Sequence, residues 1–193
     1  GSLPTDRWRA GEVIADNYAL PIPFGTPPGA YRLILAVYAA EGGERLLREG
    51  EAQVDLGQVI VARPAGALPP ALVPMQQRVG RSLGPVQLVG YDAHRKDAAH
   101  APSTPVMPGD TVHFTLYWQA PEPPPPGWPG DLQVTLRLGD QLLAASLAGG
   151  AYPTGRWQAG ELVRGEFDLA YTGGDRRPTL EVDGQSLTLA PLP

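Results

Sequence analysis

Few residues in this 193-residue chain have the chemistry to act on a ligand. His94 and His100 flank a polar stretch that also holds Asp92 and Asp97, and such a set could hold a divalent cation if the loop folded its donors inward. No pair among His94, His100 and His113 has a close metal-ligand spacing within a regular element, so a solvated loop is the expectation and no metal site is assigned. Glu161, Glu166 and Asp168 supply carboxylates, but acid and base catalysis needs two that face each other across a cleft. Glu166 and Asp168 stand two apart on one run and share its outward face, where solvation is their ordinary state. There is no Gly-x-Ser-x-Gly elbow, no Gly-rich phosphate loop and no His-Glu-x-x-His. No catalytic residue and no cofactor are expected, and the chain reads as a non-enzyme.

A sugar-binding surface would need aromatic rings open on a sheet face or loop, where they can meet the C–H face of a pyranose. Tyr117, beside His113 and Thr115, and Trp128, in the Pro-rich stretch 121–129, are the two candidates. The competing expectation is that Trp128 folds over a sheet edge and Tyr117 packs under a loop.

Those residues need elements to position them, and the strongest organising signal is an internal repeat. Pro4-Thr5-Asp6-Arg7-Trp8-Arg9-Ala10-Gly11-Glu12-Val13 is echoed by Pro153-Thr154-Gly155-Arg156-Trp157-Gln158-Ala159-Gly160-Glu161-Leu162, at an offset of 149 residues. At the same offset Ile14 meets Val163, Tyr18 meets Phe167 and Leu20 meets Leu169. The repeated Arg7 and Arg156, Trp8 and Trp157, Glu12 and Glu161 could be a binding site present twice. They also fit a corner in which Trp covers the end of a sandwich, because Trp buries a large area, and this is the structural role expected of them. Both Trp residues are then buried in equivalent corners.

Strict alternation marks the strands. Val112, Phe114, Leu116 and Trp118 fall on one face of 111–119, with His113, Thr115 and Tyr117 on the other, as in a sheet with one wet side. Leu132, Val134, Leu136 and Leu138 repeat the pattern, as do Tyr31, Leu33, Leu35 and Val37. Further strands are expected over 13–20, 58–62, 86–91, 141–147, 162–170, 179–182 and 186–189. Gly139-Asp140 and Asp183-Gly184 supply turns. The one helical candidate, 44–53, is short and lies between glycines, so a turn or a strand fits as well. With Gly 24 and Pro 23 making up about a quarter of the chain, these residues punctuate many short strands.

Residues 63–85 carry five prolines and little alternation and read as a linker. Residues 86–193 then have the ~100 residues of one complete sandwich. Residues 1–62 match only the second half of that unit. The expected fold is all-β, with Ig-like β-sandwich units in tandem, the first incomplete, and that first unit is expected to pack on the second or to self-associate.

Net charge of −5 and a pI near 5.1 offer nucleic acid no clustered cations, so no nucleic-acid partner is expected. Cys is zero, which excludes disulfides, Cys-ligated zinc and thiol catalysis. No apolar run reaches the ~20 residues of a membrane helix.

Leu88-Val89-Gly90-Tyr91-Asp92, Pro108-Gly109-Asp110-Thr111, Leu116-Tyr117-Trp118-Gln119-Ala120 and Tyr152-Pro153-Thr154 through Trp157 and Gly160-Glu161 carry a resemblance. So do Pro27-Pro28-Gly29-Ala30-Tyr31-Arg32-Leu33, Glu44-Arg45-Leu46 and Leu56-Gly57-Gln58-Val59. Together they resemble extracytoplasmic β-sandwich repeats of bacteria of the Chloroflexus type. Such repeats are carried after the membrane part of proteins similar to dolichyl-phosphate-mannose-type membrane glycosyltransferases. Gly173-Gly174-Asp175-Arg176-Arg177 departs from that pattern, which expects a Pro-Gly strand start. The resemblance implies an extracytoplasmic, non-catalytic accessory module of a membrane-anchored or cell-surface protein. Its partners would be other domains of a larger parent protein, with carbohydrate as the alternative ligand and a hydrolase further behind.

Overall fold

In a computed structural model of the chain, which describes residues 7–39, 44–47, 50–99, 101–122, 128 and 130–193, the alternating runs become strands. The chain is all-β: 42% of the described residues are in strands or bridges, and among them helix is confined to short 3-10 turns. The strands are β1 (Gly29–Leu35), β2 (Val54–Val61), β3 (Gln77–Leu83), β4 (Val86–Arg95), β5 (Thr111–Gln119), β6 (Gln133–Leu138), β7 (Gln141–Ser146), β8 (Leu162–Ala170), β9 (Thr179–Val182) and β10 (Gln185–Thr188).

Strands β3 to β10 form two four-stranded antiparallel sheets, in the orders β3-β4-β5-β8 and β10-β9-β6-β7. Strand β5 is the spine of the first, paired with β8 from Thr111↔Ala170 to Gln119↔Leu162 without a slip. Its inward residues Val112, Phe114, Leu116 and Trp118 are wholly buried, in one cluster with Val134, Leu136 and Leu138 of β6 and Leu180 and Val182 of β9. At roughly 25 cal/mol per Å² of apolar area, this cluster is the main stabilising term of the fold. Two-residue turns join the hairpins. Leu138 pairs with Gln141 across Gly139-Asp140, and Val182 pairs with Gln185 across Asp183-Gly184. Asp183 and Gly184 both have positive φ, as a type I′ turn requires. The last hairpin therefore forms despite the departure at 173–177.

Two expectations fail for the segment read as a linker and for the wet sheet face. Residues 77–83 are not linker but strand β3, the outer strand of the first sheet. Its alternation is faint because it is an edge with a register shift between Arg78 and Arg81, and only Val79 and Leu83 turn to the core. Residues 68–75 then fold over the outer face of the sheet. Val73, Val89, Tyr117 and Leu162 form a second small buried cluster there, with Leu68 and Met75 against it. Arg78 pins this segment by donating to the carbonyls of Pro70 (3.0 Å) and Val73 (2.9 Å).

The first unit keeps the local geometry of its repeat but not the packing. Gly11 and Gly160 both have positive φ, and the N–H of Glu12 donates to Arg9 O as that of Glu161 does to Gln158 O, each at 3.0 Å. The Glu12 carboxylate accepts from Arg9 N (3.2 Å), and the Glu161 carboxylate from Gln158 N (2.7 Å). Beyond that turn the two part. Trp8 is 49% exposed where Trp157 is 6%, so the expectation of two buried corners is corrected. Residues 13–20 are not a strand, and Tyr18 is 83% exposed where Phe167 is 4%. The reason is partnership: β8 is held by β5 along its whole length, and among the described residues no strand pairs with 13–20. An unpaired strand has no ladder to hold it extended. Among the described residues of the first unit the hairpin β1–β2 is the one strand pair that forms. Within 44–53, Arg45 makes a single bridge to Tyr38, and residues 48–49 lie outside the described residues.

Candidate functional site

The polar chemistry of the complete unit gathers on the outer face of the sheet β3-β4-β5-β8, where cross-strand register sets who meets whom. His113 stands opposite Asp168, and its Nδ1 lies 2.8 Å from Asp168 Oδ1. The other ring nitrogen, Nε2, is 3.9 Å from Glu166. Lys96 Nζ donates to the second Asp168 oxygen at 2.5 Å. Burial pushes the Asp168 carboxyl up, yet the hydrogen bonds from Lys96 and His113 outweigh it and hold the group below its usual range. Arg164 is ion-paired with Glu166. Both nitrogens of His113 thus face carboxylates, and neither is turned to a hydroxyl that it could activate. The row pairs its own members: Asp168 with Lys96 and His113, and Glu166 with Arg164.

His94, opposite His113 in register, holds its ring tilted by 37° with centroids 5.4 Å apart and directs Nδ1 at Arg95 O, 2.9 Å away. Asp97 pairs with Arg95, while Asp92 accepts from Tyr117 Oη (2.9 Å) and from Gln76 N (2.6 Å). His100 lies outside the described residues. Among the described residues no three His, Asp or Glu side chains come together as a metal-holding group.

Neither sugar-binding candidate offers an open ring. Tyr117 is 7% exposed beneath Val73, and Trp128 is half-buried against the core, its indole N–H donating to Thr154 O at 2.6 Å. The two sit under different segments and make no common surface. Tyr117 carries a measurable consequence. Burial, with the Asp92 carboxylate as acceptor behind it, pushes its phenol up to about 12. Because the folded value lies above the ordinary 10, the contribution of Tyr117 to stability is complete below pH 10 and is lost as pH rises toward 12. The loss of stability between pH 10 and 12 is therefore smaller in Tyr117→Phe than in the parent chain; equal slopes in the two would contradict the buried phenol.

The repeat motif of the second unit forms a closed corner. Tyr152 Oη donates to both oxygens of Glu161 at 3.0 Å, and Trp157 Nε1 donates to Tyr152 O at 3.0 Å. The guanidinium groups of Arg63 and Arg156 lie over the Tyr152 ring at 5.8 and 5.5 Å. Arg63 also donates to Arg156 O (2.9 Å) and stands 3.5 Å from the buried Glu161 carboxylate. These residues satisfy one another, as a buried carboxylate requires. In the first unit Arg7 and Glu12 are exposed, and the repeat offset puts Leu3 where Tyr152 stands. Arg63, Lys96 and Arg164 are residues that sequence reasoning missed, as it did the role of Tyr152. Only Tyr152 left a signal, as the residue before the repeated Pro-Thr.

The two units meet at the free edge of β8. The turn Pro23-Phe24-Gly25-Thr26, closed by Thr26 N donating to Pro23 O (3.2 Å), presents Gly25 O to Arg164 N at 2.8 Å. A groove of about 660 Å³ runs beside it, lined by Ile22, Phe24, Ile60, Leu68 and Val163 among others. The first unit thus touches the edge strand β8 of the second through this turn.

Compared with models of protein families, with curated proteins and with solved structures, the chain matches none.

Proposed function

We propose that this chain is a non-catalytic accessory module of a cell-surface or membrane-anchored protein, acting as an extracytoplasmic spacer, scaffold or interaction unit. One observation carries the reading. The exposed apolar side chains gather in the first part of the chain, while the charged row of the complete unit is spent on internal pairs. Seventeen of the nineteen large apolar residues that stand exposed among the described residues lie between Trp8 and Leu72. An apolar surface of that extent on one part of a chain suits contact with protein better than chemistry on a small molecule.

The Ig-like assignment belongs to the same proposal. If β4 to β10 are lettered A, B, C, C′, E, F and G, the sheets read A-B-E and G-F-C-C′, with β3 as an added edge, a strand order that supports an Ig-like or fibronectin-like sandwich. The extracytoplasmic location rests on the repeat resemblance, and a parent protein with a glycosyltransferase-like membrane part rests on it too.

The test is a functional screen of the full chain against chromogenic esters, phosphates and glycosides and against an immobilised glycan array. The expected result is no turnover and no glycan retention. Turnover lost in His113→Ala and Asp168→Ala would overturn the reading in favour of an enzyme. Retention lost in Tyr31→Ala would overturn it in favour of a sugar-binding module.

A further inference from the structure

We infer that the first unit is an acceptor for strand complementation. It binds a polypeptide half-sandwich with the strand pattern of residues 77–147, inserted so that one strand pairs with residues 13–20 and another with the free edge of β1. This rests on the interaction-module reading and names the kind of partner that reading leaves open.

The repeat offset specifies the missing layer. Shifted by 149 residues, β8 falls on 13–20, and β9 falls on β1, with Leu180 on Tyr31 and Val182 on Leu33. In the complete unit β9 lies between β10 and β6. Strand β2 pairs with β1 as β10 pairs with β9, although the offset puts β10 on 36–39 and not on β2; on that pairing the edge of β1 away from β2 is the counterpart of the edge that β6 occupies. Likewise 13–20 corresponds to the strand that β5 holds. Among the described residues the first unit therefore has two open strand positions, one in each sheet, and both are occupied in the second unit by strands from its first half. Burial agrees with this. Leu180 and Val182 are covered and Phe167 is 4% exposed, whereas Tyr31 is 39% and Tyr18 83% exposed.

The same register defines the chemistry of the partner. Opposite Leu33 and Tyr31 it presents aliphatic residues, as Val134 and Leu136 face Val182 and Leu180. Opposite Tyr18 it presents a large apolar residue, as Phe114 faces Phe167. At one position the partner must differ from this chain's own half. Asp16 stands where Gly165 lies; Gly165 faces Leu116, and a Cβ there would overlap the Leu147 carbonyl oxygen, so the partner leaves room at its counterpart of Leu147 and places a cation or a hydrogen-bond donor to meet the carboxylate.

A second copy of the chain cannot supply the missing half-sandwich. In a folded copy β5 already has β4 and β8 on its two edges, and β6 has β9 and β7. Neither strand is free to be lent without opening a finished core. The occupant is accordingly a further half-repeat, outside residues 1–193, and not a second copy.

The probe is this chain's own residues 74–149 joined directly ahead of Gly1 of the full chain, which recreates the connectivity of the complete unit. It is made in the parent sequence and with Asp16→Gly, which removes the one mismatch. Amide hydrogen exchange is followed over residues 13–20. The expected result is that protection there rises by at least about tenfold in the Asp16→Gly fusion and by less in the parent fusion. If neither fusion gains protection while β5 and β8 stay protected, the inference is overturned; an absence of turnover and glycan retention would then leave the spacer reading standing. If the unfused chain instead gains protection at 13–20 as its concentration rises and it sediments as a dimer, a second copy is the occupant and the inference is likewise overturned.

Discussion

Trp157→Ala lowers the stability of the chain by about 3–5 kcal/mol, the ordinary cost of removing a large buried aromatic side chain, whereas Trp8→Ala costs less than about 1 kcal/mol, as for a surface change. The two residues share one sequence motif, so the difference measures surroundings alone. Trp157 is buried in the main core, stacks against Tyr152 at 6.5 Å between centroids and donates to its carbonyl. Trp8 is half exposed. Urea denaturation of the two variants decides it through their midpoints at unchanged slope. Equal losses would mean that the first unit possesses a core like that of the second.

Gly165→Ala is the second large effect. Gly165 lies inside β8 with ordinary backbone angles, so its need is for space and not for conformational freedom. A Cβ built there would overlap the carbonyl oxygen of Leu147 and stand 2.9 Å from Phe167 Cε2. Leu147 is tied by its N–H to Leu132 O at 3.1 Å, and the chain before β8 has little freedom to retreat. Overpacking of this kind costs about 3 kcal/mol or more where backbone must move. Gly29→Ala is the control, because its Cβ would meet nothing within 4 Å, and it shifts stability by less than about 0.5 kcal/mol. A loss below about 1 kcal/mol for Gly165→Ala would show that β8 can move away from Leu147.

The position of Gly165 also shows what can be read from sequence. The strand 162–170 was legible because Val163, Phe167 and Leu169 alternate with polar residues, and alternation reports a sheet with one face in a core. The same signal made β5 and β6 legible, and Asp183-Gly184 was legible because a tight hairpin demands positive φ. Strand β3 was hidden because an edge strand turns only a few side chains inward. Residues 13–20 misled in the opposite direction: their alternation matches that of β8, but alternation records the face a strand would bury and says nothing of whether a neighbour is there to pair with it. Burial of Tyr117 depends on residues 68–75 folding back across the sheet under the hold of Arg78, a long-range event that no local pattern encodes. The charged row was visible as outward residues, and its pairing was not, because cross-strand partners are set by register between distant segments.

Among its described residues this chain holds one finished sandwich and the open half of another. Residue-resolved amide hydrogen exchange on the dilute, monomeric full chain tests it most directly. The predicted result is that amides of β5 and β8 are protected to the limit set by global unfolding, while those of residues 14–20 exchange within about tenfold of unprotected rates. Protection of 14–20 equal to that of β8 in the monomer would contradict the claim.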